Sequence, residues 1–442
     1  MFPRIAGILF LILFISGGCA PLPERWGDVP PPEEMPAEPE AEKAVSENEF
    51  PGDTIAFIPI APARAAVNRF MPEKYDRPIR VLLTAASKVT LKSNAKIQFL
   101  DDKNQTFSSE NEAEVSVRGN QVIWKSGGET FSAVSWTAAP GDQAMIQLEK
   151  NTYRGIFNFS VKDGKLRIIN WVSIEDYLKG VVPYEIGQLD SSRFEALKVQ
   201  AVAARTYAYR QFDSKGNDFD VYDDTRDQVY NGTAGEAVLP NAAVEATHGI
   251  VLIYDGNFAE TYYHSTCGGS TEGMETWGKP SLPYLYSQAD TTPEGTPWCS
   301  ESSYASWERK WDSQTLVNMF RNNLTEAKAV PFLNFKQIHN IQTLEKLPGG
   351  RIWKLEIETD QGNFLVLGDR IRWLFKQGSK ILPSSAFEIQ RENDEWILHG
   401  KGFGHGIGMC QMGARARAKA GQNFAEILQF YYPGTTLEQW IP

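Results

Sequence analysis

The stretch Ile174-Glu175-Asp176-Tyr177-Leu178-Lys179-Gly180-Val181-Val182-Pro183-Tyr184-Glu185-Ile186-Gly187 divides the chain into two kinds of patterning. Short alternating runs precede it, and a long segment of helix formers follows. It also sets one carboxyl group, Glu185, among Val181, Val182, Tyr184 and Ile186. Apolar neighbours strip water from a carboxylate, which disfavours its charged form and raises its pKa toward the range of a general acid. A carboxylate that caps the following helix is the plainer reading of the same residues.

Upstream, Pro78-Ile79-Arg80-Val81-Leu82-Leu83 opens a series of strand-like runs. They are Val89 to Leu91, Ala95 to Leu100, Glu114 to Val117, Gln121 to Trp124, Ala144 to Leu148, Gly155 to Val161 and Leu166 to Val172. Gly119-Asn120, Gly127-Gly128 and Asp163-Gly164 separate several of these runs as hairpin turns do. Downstream, Ser192-Arg193-Phe194-Glu195 fits a capping box, and Ala196 to Phe212 is predicted helical. Lys198 and Arg205 lie seven residues apart on that helix, close to two full turns, so they share a face. That face is either an ordinary solvated one or an anion-binding surface beside Glu185. Strands are expected at Ile250 to Tyr254, Phe258 to His264, Phe335 to Ile341, Arg351 to Glu358, Asn363 to Leu367 and Ile397 to His399. Helices are expected near Asp312 to Asn322, Asp369 to Phe375 and, last, Gln411 to Ala420. The pattern predicts an α+β protein: a β-rich part over 77–172 and a mixed α/β region over 173–442.

The N-terminus reads as a processing signal. Arg4 precedes the apolar run Ile5 to Ile15, too short to span a bilayer but suited to a signal peptide over residues 1–19. It ends Ser16-Gly17-Gly18-Cys19, which resembles a bacterial lipobox, with Cys19 as the lipidated residue and Ser16 where an aliphatic side chain is usual. Residues 20–76 then form a predicted disordered linker, since residues 21–50 alone carry seven prolines and nine acids with few large apolar groups. The expected location is the cell envelope, with the protein exported and anchored to the membrane through its lipid.

The net charge of −11 is concentrated in residues 21–50, where the nine acids face only Arg25 and Lys43. The remainder is mildly acidic and lacks a basic block, which argues against nucleic acid as a partner. The 12 Trp, 16 Tyr and 24 Phe supply aromatic faces, most of them for the core.

Glycine occupies every second position of Gly400-Lys401-Gly402-Phe403-Gly404-His405-Gly406-Ile407-Gly408-Met409, which bares one face of an extended segment. Either another backbone or a ligand approaches that face. The spacing fails the G-x-G-x-x-G dinucleotide fingerprint, because Ile407 and Met409 stand where a third glycine is required. Gly404, His405, Gly406 and Ser265 are candidate substrate contacts. His264-Ser265-Thr266-Cys267, with Cys299 and Cys410, makes a candidate zinc site through His264, Cys267, Cys299 and Cys410. A Cys267–Cys299 disulfide and free thiols are the alternatives.

Four segments, in this order, together resemble the SpoIID/LytB family, named for stage II sporulation protein D and an amidase enhancer. They are Glu175-Asp176-Tyr177-Leu178-Lys179-Gly180-Val181-Val182-Pro183-Tyr184-Glu185, Glu195-Ala196-Leu197-Lys198-Val199-Gln200-Ala201-Val202-Ala203-Ala204-Arg205-Thr206-Tyr207, Tyr263 to Gly269 and Gly402 to Ala414. The resemblance implies a lytic transglycosylase that cleaves peptidoglycan glycan strands stripped of their stem peptides. It implies Glu185 as the catalytic acid, Lys198 and Arg205 as basic residues important to activity, and a zinc site near His264 and Cys267. It also implies the alternative of a noncatalytic protein that stimulates a cell-wall amidase. The chain departs from the family in having Ile186-Gly187-Gln188-Leu189, where members commonly have methionine and a short proline-containing turn.

Overall fold

The computed structural model describes residues 9–11, 77–141, 144–212, 214–216, 218–326 and 334–440. Cys19 and the linker lie outside these residues, as does the leader except Leu9–Leu11, which pairs in parallel with Asn363–Leu365. Among the described residues no helix is long and apolar enough to cross a membrane.

The α+β class is as expected, and the β-rich part begins at Ile79. Its strands form two sheets whose inner faces meet. In Lys88–Lys92 and Glu112–Arg118 the burial alternates along the chain, turning Val89, Leu91, Ala113 and Val115 inward. The sheets join where Phe99 of one stacks on Trp124 of the other at 4.2 Å between ring centres, with Trp136 edge-on to both. The expected hairpins form at Gly119-Asn120, Gly127-Gly128 and Asp163-Gly164. Asp163 and Gly164 both take positive φ (53° and 71°), the geometry that a right-twisted two-residue turn requires.

Lys165–Val172 then hands the chain to helix α1 (Ile174–Glu185). The Ser173 side chain caps it by accepting from the Asp176 N–H, and Glu175 and Asp176 complement the helix dipole. The plainer sequence reading makes Glu185 a cap for the helix that follows it. It is instead the last residue of this helix, with Pro183 two residues inside the end and Gly187 following at φ 86°. Gly180 sits mid-helix, where glycine costs about 1 kcal/mol relative to alanine. A Cβ there would lie 2.5 Å from the Gly232 carbonyl oxygen and 2.7 Å from the Tyr230 ring, so the glycine admits the loop that carries both.

Helix α2 (Phe194–Arg210) runs through the middle of the main core, buried on all sides by Leu197, Val199, Ala201, Val202, Ala203, Ala204 and Ala208. The expected capping box is not formed. Asp190 caps a short 3-10 turn at Ser191–Arg193, and Glu195 instead accepts from the Phe424 N–H and pairs with Lys198. Helix α3 (Val238–Ala246) packs against α2, and Ile250–Tyr254 follows.

A second hydrophobic core spans Trp307 to Leu398, within the single region read as 173–442. It holds a three-stranded antiparallel sheet (Trp307–Asp312, Glu395–Gly400, Phe387–Glu392), helix α4 (Ser313–Glu326), the meander Ile338–Lys346, Ile352–Thr359, Gly362–Leu367, and helix α5 (Arg370–Leu374). The chain then returns to the main core through helix α6 (Gln411–Lys419). Beyond the helix expected to be last come α7 (Phe424–Tyr431) and Thr436–Gln439, which pairs with Ile250–Tyr254. An Asn423–Glu426 capping box starts α7.

Candidate active site

Glu185 opens into a cleft of about 630 Å³. The main core lines one side with Tyr207, Tyr263, His264 and Ser265, and the second core lines the other with Asp369, Arg372, Trp373 and Ile381. The glycine-rich segment contributes Phe403, Gly404 and His405 to the wall between them.

Three features position the carboxyl group. The end of α1 fixes its backbone, Ile186 and Leu189 are buried and pin the turn that departs from the family pattern, and the Val229 N–H donates to Oε1 at 3.0 Å. Val229 belongs to the loop admitted by Gly180, and the Tyr230 hydroxyl anchors that loop by donating to Asn170 Oδ1 at 3.0 Å. Burial raises the Glu185 pKa to about 7, and the Val229 hydrogen bond opposes that rise. Desolvation dominates, so the acid form is populated at neutral pH.

Every other carboxylate lining this cleft has a cation partner. Asp224 binds Arg226 (2.7 Å), Asp227 binds Lys215 (3.1 Å) and Asp369 binds Arg372 (3.1 Å). Asp227 also accepts from the Tyr207 hydroxyl and the Tyr222 N–H, which fixes its carboxylate in place.

The two histidines of the cleft, His264 and His405, are neutral. His264 Nδ1 faces the Ile407 carbonyl at 3.2 Å, which can only accept, so Nδ1 carries the proton and Nε2 keeps its lone pair. That Nε2 is buried without a hydrogen-bond partner. His405 Nδ1 accepts from the Ile407 N–H (3.1 Å), so Nε2 holds the proton and donates to the Tyr263 carbonyl (3.0 Å). Burial drives the His264 pKa far down and that of His405 to about 4. His405 was expected to be open to a ligand. It is buried with both ring nitrogens engaged, and serves as wall rather than proton carrier.

The bare face of the glycine segment is filled by protein. A Cβ on Gly404 would come within 2.7 Å of His264 Cβ, and one on Gly406 within 2.3 Å of Arg351 Cζ. Gly406 therefore touches the buried Arg351 guanidinium, and Gly404 touches both His264 and the cleft. Ser265 lines the cleft.

Lys198 and Arg205 lie apart from the residues that line the cleft. The Lys198 ammonium pairs with Glu195 at 2.7 Å and rests over the rings of Phe194 and Phe424. Arg205 is fully buried, bidentate to Glu175 (2.7 and 2.8 Å), and donates to the carbonyls of Val244 and Ile250. It ties α1, α2 and α3 together. The cations lining the cleft are Arg226 and Arg372, which the sequence reading did not single out.

The thiols of Cys267, Cys299 and Cys410 converge, with all three sulfurs within 4.8 Å of one another and buried. Cys267 and Cys299 sulfurs are 3.5 Å apart. His264, expected to join them, is outside the group. Hydrogen bonds from Cys267 and Cys410 favour the Cys299 thiolate, and three sulfur donors of this kind suit a soft divalent ion such as zinc.

The fold and site thus define an α+β protein with one unpaired, desolvated carboxyl group in a cleft. A family model described as stage II sporulation protein, SpoIID, matches residues 162–254, which include Glu185 and Arg205. A second, a domain of unknown function (DUF8618), matches residues 298–408 and so encloses the second core. An uncharacterized protein of Brachyspira hyodysenteriae is 32% identical over 289 residues, covering 64% of this chain and 72% of that protein. The amidase enhancer of Bacillus subtilis is 32% identical over 295 residues, 60% of this chain and 40% of that protein. Stage II sporulation protein D of Bacillus subtilis is 28% identical over 287 residues, 61% and 75%. The chain belongs to the SpoIID/LytB family. That membership gives it a cell-wall-related role in the cell envelope.

Proposed function

We propose that the protein is a peptidoglycan lytic transglycosylase acting on glycan strands stripped of stem peptides. The observation that carries this reading is Glu185, a carboxyl group with pKa near 7 in a cleft whose other carboxylates are all ion-paired. Glycosidases of the ordinary kind need two working carboxyl groups, one as acid and one as nucleophile or base. A lytic transglycosylase needs one. Glu185 protonates the glycosidic oxygen between N-acetylmuramic acid and N-acetylglucosamine as the C1–O bond breaks. The muramic 6-hydroxyl attacks C1, and its proton passes to the Glu185 carboxylate. The products are a 1,6-anhydromuramic end and a free 4-hydroxyl, with no water consumed and the acid restored. A positioned acid/base of this kind contributes about 10²–10⁴-fold in rate. Tyr207, Trp277 and Trp373 offer aromatic faces to sugar rings within the same cleft.

The similarity to a protein named amidase enhancer supports a second reading, in which the cleft binds glycan and stimulates a cell-wall amidase without cutting. Digestion of amidase-treated strands separates the two. Lytic activity yields 1,6-anhydro products by mass spectrometry that vanish in Glu185→Gln. Wild type and variant equally inert, with an added amidase accelerated by both, would leave the enhancer.

A further inference from the structure

We infer that the module around the second core supplies a subsite for the muramic lactyl carboxylate, built from the Arg372 guanidinium beside the Trp373 ring. This assignment rests on the glycan reading above. The attacking 6-hydroxyl and the lactyl ether belong to one sugar ring, so a muramic residue poised at Glu185 must also bring its carboxylate into this cleft.

Two cations line the cleft, and their settings differ. Arg226 is about half exposed, commits Nε and Nη2 to Asp224 and lies over the Tyr222 ring at 3.6 Å. Water screens it, and a side chain this exposed is not held in one orientation by its surroundings. The Arg372 side chain is only 9% exposed. Its Nε donates to the Leu382 carbonyl (2.9 Å) and its Nη1 to Asp369, which fixes the guanidinium plane. Nη2 makes no hydrogen bond to a described residue and is not sealed from solvent. Trp373 follows Arg372 on the same short helix, half-buried, so an aromatic platform and an oriented donor come from adjacent residues. A guanidinium held in place and shielded from water binds a carboxylate more strongly than a mobile surface lysine does. The module thereby sets which sugar faces Glu185.

Equilibrium binding to the full chain carrying Glu185→Gln tests this without turnover. Three probes are needed: a peptide-free muramic tetrasaccharide, the same sugar with its lactyl groups converted to neutral amides, and chitotetraose. The acid form is expected to bind about tenfold more tightly than the amide, a hydrogen bond to a charged group being worth that much. Adding Arg372→Gln is expected to abolish the difference while leaving the amide and chitotetraose affinities in place, and adding Arg226→Gln to preserve it. Equal binding of acid and amide before any change at Arg372 would overturn the subsite while sparing the glycan reading, and needs no further variant to fold. A preference that survives Arg372→Gln would also overturn it. Failure to bind any of the three sugars would overturn both.

Discussion

The Val229 N–H donates to Glu185 Oε1 at 3.0 Å, and no cation pairs with that carboxyl group among the described residues. The bond favours the carboxylate and burial favours the acid. Burial wins, and the balance of about 7 sets the first expectations.

For catalysis, Glu185 must enter the reaction protonated, so kcat/KM on peptide-free strands is expected to fall as pH rises through about 7. A pH–rate profile whose basic limb lies near the ordinary glutamate value, 4.5, would remove Glu185 from the acid role.

For stability the sign runs the other way from that of a salt-bridged carboxylate. The folded Glu185 pKa lies above the unfolded value, so between 4.5 and about 7 the folded state holds more protons, and stability declines as pH rises through that window. Glu185→Gln removes this decline. At pH 8 the variant is expected to be more stable than wild type by about 3 kcal/mol in urea unfolding, with equal stability near pH 4.

Arg205 and Glu175 test whether the helix cations are structural. Arg205→Met leaves Glu175 without its bidentate partner, and the expected loss is about 3–5 kcal/mol. The double variant Glu175→Met/Arg205→Met is expected to recover part of that loss. Folded Arg205→Met molecules are expected to keep the wild-type KM, whereas a carboxylate-binding Arg205 would raise it. Lys198→Ala breaks a partly exposed pair and is expected to cost under about 1 kcal/mol, again without a KM change.

The glycine segment offers a controlled comparison. Gly406→Ala adds both a positive-φ penalty (φ 90°) and a clash with Arg351, and is expected to cost roughly 3 kcal/mol or more. Gly421→Ala carries the same kind of backbone penalty (φ 92°) with nothing within 4 Å, and is expected to cost about 1–2 kcal/mol. Thermal unfolding of the two variants side by side measures the close approach itself; equal losses would remove it as the reason for the glycine.

The cysteine cluster makes a separate expectation. Protein purified under reducing conditions is expected to carry about one zinc per chain and to lose it on Cys299→Ser, because a metal site of this kind needs all its thiolates. Metal well below stoichiometric, together with a mass two hydrogens short, would assign a Cys267–Cys299 disulfide instead.

Much of the architecture was legible because local chemistry dictated it. Strands such as Lys88–Lys92 and Glu112–Arg118 follow period-two burial and turn pairs, which act within a few residues, whereas Trp136–Pro140, buried along nearly its whole length, escaped that pattern. What escaped was long-range. Helix α1 hid behind Gly180 and Pro183, two residues that oppose helices by themselves and are accommodated here by a packed loop and a helix end. Arg205 read as surface charge because its partners, Glu175 and the carbonyls after residue 243, come from other elements. Arg372 and Trp373 were legible only as part of a short helix, and the second core lining the cleft is what gives them a role. The last helix, by contrast, was missed despite a local signal, the capping-box spacing of Asn423 and Glu426. Glu185 itself stood out for the right physical reason, desolvation, although it closes one helix rather than capping the next.

The most direct test of the single-carboxylate mechanism is digestion of peptide-free strands in water enriched in heavy oxygen, followed by mass spectrometry of the new muramic ends. Internal attack by the 6-hydroxyl predicts ends one water lighter than a hydrolysis product and free of heavy oxygen, formed by wild type and not by Glu185→Gln. Reducing muramic ends that carry the heavy isotope would contradict it and demand a second working carboxylate beside Glu185.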